Sequence, residues 1–308
     1  MMLNFLLRSL CAALLFHSVN VSAQSLAFTF DDGPQLDKTP LLSPQERNQA
    51  LLNALGTNGV SAALFVTVAN GANQPEGMLL AKAWGQAGHA VGNHTMTHID
   101  LNNSGVSLTQ YQKEILDCDE IIRKLPGYQK WFRYTYLREG NTLEKRDGMR
   151  SFLKNHGYRN AYVSLDTSDW RLNEKLIETL EKNPHADLGP IRAAYLAHIR
   201  QRAIAYRELS QKLQGRDISQ VMLLHHNLIN ALWLNDLIVM FKDMGWKIIS
   251  PQQAFADPVY QLMPERQSAG QSLLLSMARS LGMGKFDGWE CLVDDGDFEI
   301  ESLGKLGY

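Results

Sequence analysis

Short, unbroken apolar runs recur along this chain, separated by segments of helical periodicity and ending in polar side chains able to do chemistry. The first belongs to LAFTFDDGP, residues 26–34, and stops at Asp31 and Asp32 before Gly33-Pro34; others cover residues 62–68, 89–92, 131–134, 160–165, 221–224 and 246–249. Continuously apolar strands are buried on both faces, and strands that alternate with helices build parallel sheets. About seven such units predict an α/β fold, a distorted (β/α) barrel, with its site at the carboxyl ends of the strands.

The intervening segments carry helix signals. Ser43-Pro44-Gln45-Glu46 combines a capping box with proline at the first helical position and predicts a helix to about residue 55. Residues 75–87 form the next. Ser107 opens an amphipathic helix in which Leu108, Tyr111, Ile115, Cys118 and Ile122 recur at helical spacing, and Asn141-Thr142-Leu143-Glu144 caps one running to about residue 156. A last helix is expected over residues 231–244. The charged segment 171–214, broken at 184–190, reads as a helical excursion between two core strands.

At the start, Arg8, the apolar run 10–16 and Val21-Ser22-Ala23 predict a signal peptide over residues 1–23 and hence export, periplasmic or extracellular. That apolar core is shorter than the ~20 residues of a membrane span; residues 1–7 are apolar too, which leaves an uncleaved anchor as the alternative. Residues 24–257 would be the catalytic domain and 258–308 a C-terminal extension, with a helix over 268–281 and a terminal hairpin but no assignable chemistry. A net charge of −2 argues against nucleic acid or an anionic membrane as partner. Of the 3 cysteines, Cys11 lies in the leader; Cys118, on an apolar helix stripe, is expected as a buried thiol, and spacing leaves its pairing with Cys291 open. No CxxC pair exists, which excludes a thiolate zinc site of that kind.

Asp31 and Asp32 read either as a solvated turn or as two carboxylates converging on one cavity. His94 and His98 follow another strand and are four apart, so that on a helical turn both imidazoles would face one cation. Two imidazoles and a carboxylate leave open coordination positions, as in a catalytic zinc site.

With these residues in place the chain resembles the polysaccharide deacetylases of the NodB-homology type, carbohydrate esterase family 4, over roughly residues 26–257. TFDDGP stands intact at 29–34, H-[ST]-x-x-H at 94–98, D-x-x-D-W at 166–170 and L-x-H at 223–225; the third motif, normally R-x-P-Y, reads Arg133-Tyr134-Thr135-Tyr136. The resemblance implies a divalent metal, Zn²⁺ as the first choice, held by Asp32, His94 and His98. It implies Asp31 as general base, Arg133 orienting it, and His225 protonating the departing amine with Asp169 as its partner in preference to Asp166. The backbone N–H of Tyr136 would share the oxyanion, and Trp170 and Leu223 would wall the acetyl pocket. The implied substrate is an N-acetylated amino-sugar polymer or oligomer. An O-acetyl esterase and a carbohydrate-binding protein with a decayed site are the competing readings, and His226 carries no assigned role.

Overall fold

The computed structural model describes residues 23–265, 271–283 and 289–292. The predicted signal peptide, apart from Ala23, and the predicted terminal hairpin lie outside the described residues, the latter apart from residues 289–292. Eight parallel strands form one sheet: β1 (Ser25–Gly33), β2 (Ala62–Val66), β3 (Ala90–Asn93), β4 (Tyr128–Phe132), β5 (Arg159–Asn160), β6 (Leu165–Asp166), β7 (Gln220–His225) and β8 (Lys247–Ile248). Their order is β5-β4-β3-β2-β1-β7-β6, and β8 pairs with the start of β1. Nine α-helices are described: α1 (Pro44–Asn58), α2 (Pro75–Gln86), α3 (Leu108–Ile122), α4 (Leu143–Asn155), α5 (Asp169–Lys182), α6 (Gly189–Gln214), α7 (Leu228–Asp243), the single turn α8 (Pro251–Ala254) and α9 (Leu273–Ser280). They surround a seven-strand half-barrel, the distorted (β/α) barrel expected from the alternation.

The expected strand over 160–165 is two fragments. Residues 159–160 pair with β4 and residues 165–166 with β7, at opposite ends of the strand order. Between them the Ala161 amide donates to Phe132 O (2.7 Å) and the Ser164 amide to Val221 O (3.1 Å). One stretched segment therefore spans the seam of the barrel instead of adding a full strand. The Leu273 amide, at the start of α9, donates to Val163 O (2.7 Å) in that seam, while Leu273, Leu274, Leu275 and Ala278 are buried. Over the described part of the extension, the helix expected at 268–281 is α9, and its apolar face covers α6.

Capping chemistry sets the helix ends. Ser43 and Glu46 form the reciprocal box at α1, and Ser107, Thr142 and Asn227 accept from N3 amides at α3, α4 and α7. Asn227 starts α7 three residues earlier than apolar periodicity suggested. Cys118 and Cys291 are both buried and are not joined by a disulfide.

Behind β1 and β2 lies a buried polar cluster. Trp84 Nε1 and His226 Nε2 both donate to Asn48 Oδ1 (2.8 and 3.0 Å), and His89 Nδ1 accepts from the Ala62 amide (3.2 Å). Burial pulls both histidines down to about 4, with the Arg47 charge adding to the effect at His226. Because the folded values lie below the unfolded one of 6.5, stability is full above pH 6.5 and falls as pH drops toward 4, by up to about 1.4 kcal/mol per pH unit per histidine. Urea unfolding is expected to show this decline between pH 6.5 and 4, with a shallower slope in His89→Gln. Equal slopes for the two proteins would refute the role given to His89.

Candidate active site

The site stands at the carboxyl ends of β1, β3, β4, β6 and β7. Asp31 and Asp32 are neighbours, and regular strand geometry would send them to opposite faces. The β1–β2 register shifts between Phe30 and Gly33, and Asp32 takes φ 65, so the strand bulges there and both carboxylates reach one cavity of about 460 Å³. Asp32, His94 and His98 offer ligand atoms that all lie within 4.8 Å of one another. The helical turn expected over 94–98 is a loop instead, with positive φ at Thr95 and His98. Asn93 shapes it: its Oδ1 accepts from the Thr95 amide (2.9 Å).

The donor set suits a cation. His94 Nδ1–H donates to Arg133 O (2.8 Å), leaving the Nε2 lone pair free, and Nε2 lies 3.6 Å from Asp32 Oδ1. His98 Nε2 lies 3.1 Å from the same oxygen, which is buried and accepts no hydrogen bond within the chain. Burial favours the neutral acid at Asp32, but the neighbouring His98 and the charge of His225 hold it well below the usual carboxylate range. Burial likewise keeps His94 neutral.

Asp31 is held from behind. Arg133, the first residue past β4, donates from Nη1 to Asp31 Oδ1 (2.7 Å) and Thr29 Oγ1 (2.8 Å) and from Nε to Ala161 O (2.9 Å). Its guanidinium stacks 4.0 Å from the Phe65 ring centroid, which fixes it inside the barrel. On the facing side His225, at the end of β7, donates from Nδ1 to Asp169 Oδ1 (2.7 Å), while Asp169 Oδ2 accepts from the His225 amide, Asn227 and Asn230. Burial opposes the imidazolium, yet the Asp169 carboxylate overrides it and pushes His225 up to about 10. With Nδ1 committed, Nε2 is the nitrogen left for the cavity.

Tyr136 sits in a left-handed conformation (φ 55), its ring edge-on to His98 at 4.5 Å between centroids. Threonine at the usual proline position does not leave this loop loose. Thr135 Oγ1 donates to Ile99 O (2.5 Å) and bonds the Tyr111 hydroxyl (2.9 Å), which also accepts from the Thr135 amide (3.2 Å).

Asp31, Asp32, His94, His98, Tyr136, Trp170, Leu223 and His225 thus line one cavity, and Arg133 and Asp169 lie directly behind it. Sequence reasoning missed Arg138 and Glu174 in its wall. Arg138 pairs with Asp100 (2.6 Å) and lies over the Tyr136 ring, a contact between segments 38 positions apart that no local pattern signals. Asp166, weighed only as a partner for His225, also lines the cavity.

Residues 18–161, which carry the first three motifs, match the polysaccharide deacetylase family model. It is 31% identical over 147 residues to the peptidoglycan-N-acetylglucosamine deacetylase of Bacillus cereus, covering 47% of this chain and 46% of that one. It is 29% identical over 200 residues to the chitin deacetylase of Colletotrichum lindemuthianum, covering 61% and 71%. The chain thus spans about half the length of the first of these relatives. Among solved structures, a mutant of a carbohydrate esterase family 4 pseudoenzyme superposes with a TM-score of 0.53 at 16% identity, over 76% of this chain and 67% of that one, a likeness of fold.

Proposed function

We propose that the chain is an exported, metal-dependent hydrolase that removes N-acetyl groups from an amino-sugar polysaccharide or oligosaccharide of the peptidoglycan or chitin type. The observation that carries this reading is that Asp31, buried on Arg133, and half-buried His225, held by Asp169, face one cavity beside the Asp32–His94–His98 cluster. A divalent metal, Zn²⁺ by its preference for such ligands, would supply Lewis-acid polarisation of the acetyl carbonyl and activation of water. Asp31 takes the proton of the attacking water, and Arg133 keeps the carboxylate aimed. The Tyr136 amide helps neutralise charge developing on the carbonyl oxygen. His225 gives its Nε2 proton to the departing amine, with Asp169 holding the ring in the required tautomer. Trp170 and Leu223 supply an apolar part of the cavity wall, against which the acetyl methyl would rest. Relatives whose names state an activity on N-acetyl sugars support the amide over the O-acetyl ester as the bond cleaved. Among the described residues no helix is long and apolar enough to cross a membrane.

The test is acetate release from a panel of N-acetyl and O-acetyl glycans, with metal quantified in the purified protein. Release from an N-acetylglucosamine polymer with about one metal per chain is expected. His94→Ala is expected to weaken metal affinity by more than about a hundredfold, since loss of an outer partner alone costs 10–100-fold. Folded protein that binds no divalent metal, or full activity in His94→Ala, would overturn the mechanism.

A further inference from the structure

Helix α6 belongs to the charged excursion between β6 and β7, yet it turns two polar side chains inward, one turn apart. His198 Nε2–H donates to Thr167 O (2.9 Å), and Arg202 Nη1 donates to Asp166 O (3.2 Å) and Ser168 Oγ (2.7 Å). Arg202 is 1% exposed and His198 7%, so both are enclosed by the fold. The three residues they hold, Asp166 at the end of β6 and then Thr167 and Ser168, lead directly into Asp169, the partner of His225. This loop is costly to maintain: Ser168 adopts φ 49, ψ 31, a left-handed conformation unfavourable to a residue with a Cβ. Its far side is tied to the neighbouring strand, where Thr167 Oγ1 donates to Leu223 O (2.6 Å).

We infer that Arg202 and His198 are positioning residues for catalysis, a clamp from α6 that holds the Asp166–Ser168 loop against β7 and thereby sets Asp169 and His225 in the reacting geometry. The inference rests on the deacetylase reading for its kinetic consequence. The mechanical part stands apart from it, because the bonds and the left-handed residue belong to the fold. Hydrogen bonds from a buried guanidinium carry charge and are stronger than neutral ones. Without them Ser168 can relax toward ordinary φ and carry the adjoining Asp169 away from His225. A displacement near 1 Å in such a constellation costs up to roughly a hundredfold in rate. The cation cluster on Asp32, His94 and His98 hangs from other strands, so its occupancy should not change.

The experiment compares wild type, Arg202→Met, Arg202→Lys and His198→Gln. For each, kcat and KM on an N-acetylglucosamine oligomer, metal stoichiometry, and backbone hydrogen exchange of peptides covering 165–171 and 90–98 are measured. Arg202→Met is expected to lose at least roughly tenfold in kcat with KM within about twofold and metal retained. Exchange should quicken over 165–171 but not over 90–98. Lysine, whose ammonium can reach the same oxygens, should restore part of kcat and of the protection. If Arg202→Met does not fold, Arg202→Lys and His198→Gln carry the decision through the same measurements. Unchanged exchange over 165–171, kcat within about threefold of wild type in an active enzyme, or faster exchange throughout the barrel would each overturn the clamp. A wild type without activity would remove the deacetylase reading, while exchange confined to 165–171 would still establish the brace.

Discussion

Asp31→Asn is expected to lower kcat by about 10²- to 10⁴-fold, the usual worth of a positioned general base. The substitution is close to isosteric. An asparagine Oδ1 still accepts from Arg133 Nη1, now at 2.7 Å, and the other terminal atom keeps its place 3.7 Å from His94 Nε2. Asp32, His94 and His98 are untouched, so bound metal should stay near the wild-type level and KM should move little. What disappears is the basicity needed to take a proton from water. Activity within tenfold of wild type, with metal retained, would assign that proton to another group.

Arg133→Met has its large effect on stability. Arg133 and Asp31 are both almost wholly buried, and removing one partner of such a pair leaves an uncompensated charge at a cost of about 3–5 kcal/mol. The loss also frees Ala161 O in the seam of the barrel and the face of Phe65. Adding Asp31→Asn to Arg133→Met should return part of the loss, since the second change removes the stranded charge. Urea unfolding of the two single variants and the double one measures this cycle. An Arg133→Met protein within about 1 kcal/mol of wild type would show that the ion pair does not hold the barrel as described.

Much of this architecture was legible because strands of a parallel barrel all finish at one end, so a motif placed after an apolar run is already placed at the site. Asp31 and Asp32 after β1, His94 after β3, Arg133 after β4 and His225 ending β7 converge for that reason. Legibility failed where conformation depends on distant contacts. Residues 94–98 have helical spacing but form a loop, because Asn93 and the left-handed residues Thr95 and His98 turn the chain. Residues 160–165 have the composition of one strand, yet two edges compete for them and each takes a pair. The inward face of α6 was hidden as well, because arginine and histidine on a charged helix look solvated until something is found packed over them.

Thr135 shows what the odd residue in the third motif has become. Its amide and hydroxyl engage Tyr111, and its hydroxyl also ties Ile99, one position past His98, to the loop bearing Tyr136. A proline has neither group. Restoring the familiar motif would therefore strip the buried Tyr111 hydroxyl of these bonds and uncouple the two loops, instead of repairing anything. The two loops are joined through threonine, and proline would be the disruptive choice at this position.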